Sequence, residues 1–154
     1  EAGHVASRDI SEYKTDLIRE NLERMNRRNV EVQVYDATVH DPEKEKYADV
    51  VLMDVPCSGL GVMGKKRDIK YHATPESLQS ITELQRQIVA AGWQYVKPHG
   101  VLLYSTCTIH RGENQEMAVW ITENFPFVLE EERQLLPGTD ETDGFYYARL
   151  RRKA

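Results

Sequence analysis

The sequence predicts a doubly wound α/β sheet that forms one domain over residues 1–154. Short apolar runs, typical of buried strands, alternate with amphipathic stretches of roughly ten to twenty residues, typical of helices. Hydrophobic residues make up 40% of the chain and charged residues 29%, which is an ordinary globular composition. Together with a length of 154 residues, these observations favour a single α/β domain over a disordered chain.

The first third of the chain contains two predicted strands with a helix between them. Residues 4–8 form a strand that ends at Asp9, and residues 30–35 form a second strand that leads to Asp36. Ser11 is a suitable N-cap for the helix, because its hydroxyl can accept a hydrogen bond from a free amide of the first turn. The apolar positions that share one face of this helix are Tyr13, Leu17, Ile18, Leu22 and Met25.

The middle of the chain contains a strand and a long helix. Residues 48–53 are almost continuously apolar, which predicts a strand buried on both faces and ending at Asp54. A helix begins at Pro75, since proline is favoured at the first helical position, and it extends to about Val96. The nearby Gly100, with a proline two residues before it, ends that helix.

The last third of the chain completes the predicted sheet. Residues 101–105 form another buried strand, which is followed by Cys107 and then by a helix over residues 113–123. Residues 127–129 and 145–150 are the last two strands, and they are expected to pair as an antiparallel hairpin at the end of the sheet.

Chemically active side chains follow four of these strands. Asp9, Asp36 and Asp54 each stand at a predicted carboxyl end, and Cys107 lies just beyond another. Ligands of open α/β sheets bind outside the carboxyl ends of the parallel strands. We therefore expect a functional site at this edge of the sheet.

A glycine-rich stretch at residues 59–64 matches the pattern G-x-G-x-x-G of dinucleotide-binding proteins. That function needs a helix to begin directly after the glycines, but a basic run without an apolar stripe follows instead. We expect a mobile loop whose basic side chains either contact RNA phosphates or are simply solvated. The candidate RNA contacts are Lys65, Lys66, Arg67 and Lys70.

Charge and cysteine content limit the classes of function. A net charge of −5 disfavours a wholly basic nucleic-acid binder but leaves room for a local basic patch. The basic cluster at residues 149–153 is expected to be solvated. No apolar run is long enough to cross a membrane and no secretory leader is visible, so we expect a cytoplasmic protein that does not contact membranes.

The two cysteines, Cys57 and Cys107, each follow a predicted buried strand. In isolation each could be a small core residue, since free cysteine is among the most buried residue types. A zinc site is not expected, because Cys107 and His110 supply only two of four ligands. A disulfide is not expected in a reducing compartment.

The two cysteines belong to a series of motifs that occur in a fixed order along the chain, and the two thiols stand fifty residues apart. Through these motifs the chain resembles the RNA 5-methylcytosine methyltransferases of the Sun/RsmB type, which use S-adenosylmethionine. The motifs lie at residues 5–11, 20–24, 54–61, 67–70, 84–85, 96–98, 104–109, 113–114 and 143–146.

The resemblance implies a role for each candidate residue. Cys107 is the nucleophile, and Cys57 assists release of the methylated base. Asp54 contacts the target cytosine or the methionine end of S-adenosylmethionine. Asp9 binds the ribose hydroxyls of that cofactor, and Asp36 binds its adenine side. The implied substrate is RNA, in particular ribosomal RNA, and no metal is implied.

The glycine-rich cofactor loop that follows the first strand in this family has no counterpart in the chain. We therefore expect a C-terminal part of a methyltransferase domain, with a Rossmann-like sheet that lacks its first strand and helix. Such a chain is expected to bind the cofactor weakly and to self-associate through unpaired strand edges.

Two other functions stay open. One is an amino-methyltransferase that uses Asp54 and Pro56 beside a base amine and needs no thiol. The other is a non-catalytic RNA-binding or scaffold module, in which both cysteines are merely core residues.

Overall fold

The computed structural model describes residues 3–66 and 68–154, and it divides into two compact units. One unit ends at His40 and the other begins at Asp41, and each has its own sheet. Among the described helices, none combines the length and apolar content that a transmembrane span requires.

The first unit is a parallel β-α-β arrangement. Its elements are β1 (Val5–Asp9), α1 (Glu12–Arg24) and β2 (Val30–Val34). The two strands pair in parallel, with Asp9 opposite Val34. Ser11 caps α1 as predicted, because its side chain accepts a hydrogen bond from the backbone N–H of Lys14 at 3.3 Å.

The apolar face predicted for α1 is not buried. Tyr13 is 72% exposed and Met25 is 52% exposed, whereas the buried residue of the helix is Thr15. The physical reason is the small size of the layer beneath the helix, since a two-stranded sheet offers little apolar surface to cover it.

The second unit contains a mixed four-stranded sheet. Its helices and strands are β3 (Ala48–Asp54), α2 (Ile69–His72), α3 (Pro75–Gly92), β4 (Val96–Thr106), α4 (Gln115–Asn124), β5 (Phe127–Leu135) and β6 (Phe145–Arg152). The strand order is β3-β4-β6-β5; β3 and β4 are parallel, and the other pairs are antiparallel. This arrangement confirms the predicted antiparallel strands near the C-terminus.

The boundary between α3 and β4 differs from the prediction. The helix begins at Pro75 as expected, but it ends at Gly92 and is followed by a short 3-10 turn. The expected helix stop at Gly100 lies inside β4, beside a register irregularity of the β3–β4 pair. A side chain at Gly100 would approach the Asp49 carbonyl oxygen to 2.9 Å, so glycine is needed where the strands come close.

The core of the second unit lies on one face of its sheet, where α3 and α4 pack. Its largest fully buried apolar side chains are Tyr104, Tyr146, Phe127, Leu102, Met117, Ile121, Leu150, Val89 and Val96. The prediction that β3 is buried on both faces is wrong, because Val50 is 60% and Leu52 is 63% exposed. These two side chains alternate with Met53, which is in the core, so they point to the opposite face of the strand.

In the described part of the chain, both parallel pairs have an unpaired edge. The pairing partner of β1 is β2 alone, and the pairing partner of β3 is β4 alone.

Candidate active site

The two cysteines lie together at one edge of the second sheet. Because β3 and β4 are parallel neighbours, their carboxyl ends meet, and the loops that follow carry Cys57 and Cys107. The two Sγ atoms are 3.0 Å apart, both thiols are free, and both are only partly buried. Neither cysteine is therefore the fully buried core residue that each could have been in isolation.

The surroundings of Cys57 keep its thiol protonated. Burial, and after it the hydrogen bond and the charge of the adjacent Cys107 sulfur, raise the pKa of Cys57 to about 12. The two sulfurs are within hydrogen-bond distance, and either thiol can be the donor.

Asp54 stands at the same edge of the sheet. It is the last residue of β3 and pairs with Ser105 of β4, two residues before Cys107. The Ser105 hydroxyl donates a hydrogen bond to Asp54 Oδ1 at 3.0 Å, and the carboxylate is otherwise exposed. The structure thus brings Asp54, Cys57 and Cys107 to one place, as the sequence predicted.

A buried asparagine fixes the loop that carries Cys107. Thr106 donates a hydrogen bond to Asn114 Oδ1 at 2.6 Å, and Asn114 Nδ2 donates to the Thr108 carbonyl at 3.0 Å. Asn114 therefore contacts the residue on each side of Cys107, through the Thr106 hydroxyl and the Thr108 backbone carbonyl. Sequence reasoning quoted this residue as part of a motif but did not assign it this task.

The glycine-rich stretch packs against the cysteine loop. Gly61 is buried; its N–H donates to the Cys107 carbonyl at 3.1 Å, and its own carbonyl accepts from the Gly144 N–H at 2.9 Å. A Cβ on Gly61 would lie 2.2 Å from the Gly144 oxygen, so no side chain fits. The prediction of a mobile loop is wrong for this stretch, because its glycines allow close backbone contact.

The candidate RNA contacts lie beyond these glycines. Lys65 forms an ion pair with Asp143 at 2.5 Å while 74% of its side chain stays exposed, and Lys66 is exposed. Arg67 lies outside the described residues, as does the side chain of Lys70. RNA contact by these residues stays a prediction.

The C-terminal basic cluster is engaged within the protein. Glu130 accepts from Arg149 at 3.1 Å and from Arg151 at 2.8 Å. The hydrogen bond from Arg151 is the main reason why the pKa of Glu130 is lowered. Arg152 donates to the backbone carbonyl of Gln94 at 3.2 Å and stacks on Trp93. The expectation that this cluster is simply solvated is wrong for its arginines, because they are paired, hydrogen-bonded or stacked within the protein.

The two other candidate acids lie in the first unit, after neighbouring parallel strands. Asp9 accepts from the Ser11 N–H at 2.8 Å, and its second oxygen is 3.6 Å from Lys14 Nζ. Asp36 accepts from the hydroxyl and the N–H of Thr38 at 2.7 and 2.9 Å, and these bonds lower the pKa of Asp36. Partly buried acceptors at the ends of adjacent strands fit the hydroxyl and amine groups of a nucleoside.

Among the residues that the structure describes, no group of three or more histidine, cysteine, aspartate or glutamate side chains is placed to hold a metal ion.

Solved methyltransferases share this fold. The structure described as NSun6 from Pyrococcus horikoshii with SFG has a TM-score of 0.84 and 25% identity, covering 99% of this chain and 42% of that one. A methyltransferase homolog protein from the same organism has a TM-score of 0.79 and 25% identity, covering 97% of this chain and 53% of that one. The fold is that of the Rossmann-like methyltransferases, which confirms the predicted class.

The family follows from the sequence match. The model of the 16S rRNA methyltransferase RsmB/F family matches residues 1–151, and the chain belongs to this family. The ribosomal RNA small subunit methyltransferase F of Escherichia fergusonii is 31% identical over 168 residues, with 97% of this chain covered. The same-named protein of Pectobacterium carotovorum is 29% identical, with 99% covered.

The chain spans 35% of the length of both curated relatives. Membership of the RsmB/F family confirms the family resemblance seen in the sequence. It also agrees with S-adenosylmethionine as the cofactor.

Proposed function

We propose that the chain carries the catalytic thiols of an S-adenosylmethionine-dependent enzyme that methylates C5 of cytosine in ribosomal RNA. The observation that carries this proposal is the pair of sulfurs 3.0 Å apart, one of them held protonated, beside the exposed carboxylate of Asp54. Membership of an rRNA methyltransferase family supports the substrate class.

Cys107 is the nucleophile. C5 of cytosine is too weak a nucleophile to take a methyl group unaided, but addition of a thiolate at C6 makes the ring enamine-like, so that C5 can attack. Burial and the adjacent sulfur raise the pKa of Cys57, which favours its protonated form, so we assign the nucleophilic role to Cys107.

Asp54 orients the target ring. A carboxylate beside N3 and N4 of cytosine can accept a hydrogen bond from the amine and stabilise charge that develops there. The Ser105 hydroxyl holds one oxygen of Asp54, which limits the rotation of the carboxylate.

Cys57 acts after methyl transfer, when the C5 proton must leave and the bond between C6 and Cys107 must break. Once the Cys107 sulfur is bonded to carbon it no longer carries the charge that raises the pKa of Cys57. Cys57 then loses its own proton to solvent more readily and can accept the C5 proton. The C5–H electron pair forms the C5–C6 double bond and expels Cys107 as a thiolate.

S-adenosylmethionine supplies the methyl group when it is bound. Asp9 would accept hydrogen bonds from its ribose hydroxyls, Asp36 would bind its adenine side, and Asp54 would contact its methionine end or the target cytosine. Lys65, Lys66, Arg67 and Lys70 would contact phosphates of an RNA whose target base is unstacked. A cytoplasmic location remains the expectation for an enzyme of ribosomal RNA.

The test is substitution of each cysteine in the natural full-length protein, assayed with S-adenosylmethionine and 16S ribosomal RNA. Cys107→Ser abolishes methyl transfer and adduct formation, whereas Cys57→Ser lets a denaturation-resistant protein–RNA adduct accumulate. Methyl transfer that survives Cys107→Ser would indicate the amino-methyltransferase instead. Absence of any adduct and any transfer in the unsubstituted protein would indicate the non-catalytic RNA-binding module.

A further inference from the structure

A fully buried carboxylate lies behind the two cysteine loops. Glu113 ends the 3-10 turn Arg111–Glu113 and is 0% exposed. His110 Nδ1 lies 3.4 Å from Glu113 Oε1. Burying a carboxylate costs several kcal/mol unless its oxygens are well bonded, so the contacts of Glu113 indicate why it is there.

Glu113 holds the loop that carries Cys57. The backbone N–H of Ser58 donates to Glu113 Oε2 at 2.9 Å, and the Ser58 hydroxyl donates to Oε1 at 2.6 Å. The same hydroxyl lies 2.8 Å from Oγ1 of Thr108. Ser58 directly follows Cys57 and Thr108 directly follows Cys107, so the Glu113 carboxylate holds the first loop directly and is linked to Thr108 through the Ser58 hydroxyl.

Gln85 extends this connection into the core. Its Nε2 donates to Glu113 Oε2 at 3.0 Å and to the carbonyl of Pro56, the residue before Cys57, at 2.9 Å. The Tyr104 hydroxyl lies 3.2 Å from Gln85 Oε1 and donates to the Glu113 carbonyl at 2.8 Å. Gln85, Tyr104 and Glu113 are all 0% exposed, so α3, β4 and both loops are joined by buried polar contacts.

We propose that Glu113 is a positioning residue which, with Gln85, holds Cys57 beside Cys107 and so sets the separation of the two sulfurs. Its catalytic value rests on the proposed function, in which both sulfurs act in turn on one ring. A buried charged network adds little net stability over a well-packed apolar replacement, whereas a misplacement of about 1 Å at a reacting group can cost about 100-fold in rate. The main effect of this buried network is therefore to fix the position of Cys57 relative to Cys107.

The test measures the geometry of the thiols directly, without RNA or cofactor. The chain is equilibrated with glutathione and glutathione disulfide, and the fraction with a Cys57–Cys107 disulfide is measured by thiol labelling and mass spectrometry. Each disulfide formed transfers two electrons to one glutathione disulfide; the two protein thiols lose their protons and two glutathione molecules are released. The equilibrium gives the effective concentration of one thiol at the other.

Glu113→Gln preserves the shape of the side chain but turns an amide NH₂ toward the donors of Ser58 and Gln85. We expect the effective concentration of the thiol pair to fall by at least about tenfold, because Ser58 and Gln85 lose the carboxylate that accepts from both. The matched control is Glu116→Gln, since Glu116 is an exposed glutamate of α4 that lies 3.6 Å from Arg111. The control is expected to match the unsubstituted chain.

A folded Glu113→Gln variant with an unchanged thiol equilibrium would overturn the positioning role. If Glu113→Gln does not fold, Ser58→Ala decides, because it removes only the hydroxyl that bridges Glu113 and Thr108. An effective concentration lowered by about threefold or more supports the proposal, and an unchanged one overturns it. If Glu113→Gln lowers the effective concentration of the thiols but the unsubstituted protein shows no methyl transfer, the positioning role stands and only the proposed function is contradicted.

Discussion

The two cysteine side chains have the same chemistry but different surroundings. Burial and the neighbouring sulfur raise the pKa of Cys57, and the two sulfurs are 3.0 Å apart. In the proposed reaction Cys107 acts first as a thiolate and Cys57 acts later as a base. Their juxtaposition was predictable, because both follow parallel strands that the sequence predicted.

Removal of the Cys107 sulfur should lower the pKa of Cys57 without restoring it fully. In Cys107→Ala the hydrogen bond and the charge of Cys107 are lost, but burial, the largest cause, remains. The pKa of Cys57 is then expected between its ordinary value of 9.0 and about 12. Because a lower pKa means more thiolate at a given alkaline pH, iodoacetamide should label Cys57 faster in this variant between about pH 8 and pH 10.

The matched measurement is alkylation of Cys57 in the unsubstituted chain, with the modified residue identified by peptide mapping. Equal labelling rates of Cys57 with and without the Cys107 sulfur would show that the neighbour does not control its protonation.

Elements whose signals are local were predicted well. Pro75 begins α3 as expected, because Thr74 and Ser77 form a capping box within the same turn. Features that depend on tertiary packing were predicted wrongly. The α3 helix ends earlier than expected, and the apolar face of α1 and one face of β3 are exposed instead of buried. Glu113 was assigned to the start of a helix and to a family motif but to no task, since its partners Ser58 and Gln85 are remote in sequence.

The turn formed by Leu60–Val62 depends on its central glycine. Gly61→Ala should destabilise the folded chain by about 2–4 kcal/mol, because a methyl group would meet the backbone oxygens of Gly144 and Cys107 at 2.2 and 2.8 Å. The measurement is the free energy of unfolding from urea denaturation.

Gly64→Ala is the matched control for this experiment. It lies in the same glycine-rich stretch and has nothing within 4 Å of an added Cβ, so its effect should stay within about 0.5 kcal/mol. Equal stabilities of the two variants would show that the close approach at Gly61 is unimportant.

The molecule as a whole leaves apolar surface uncovered. Val50 and Leu52 stand exposed on a strand whose outer edge is unpaired within the described residues. Exposed apolar strands with open edges favour association with other chains. The net charge of −5 opposes this only weakly at physiological salt, because charges are screened beyond about 8 Å.

We expect the chain to self-associate in solution through this strand. Light scattering should report a mass above the monomer value of 17.8 kDa, and Leu52→Glu should shift it toward the monomer. Val119→Glu is the control, because Val119 is an apolar residue of α4 that is 51% exposed, and it should leave the association unchanged. A monomer at all concentrations, or equal effects of both variants, would contradict association through β3.

The central claim is that the sulfur of Cys107 bonds to C6 of a cytosine. The most direct measurement is mass spectrometry of the adduct that accumulates in the Cys57→Ser variant of the natural full-length protein, after digestion with nuclease and protease. We expect a nucleotide of methylated cytidine attached to the peptide that contains Cys107. A nucleotide attached to any other residue, or methylated RNA without any attached peptide, would contradict the account.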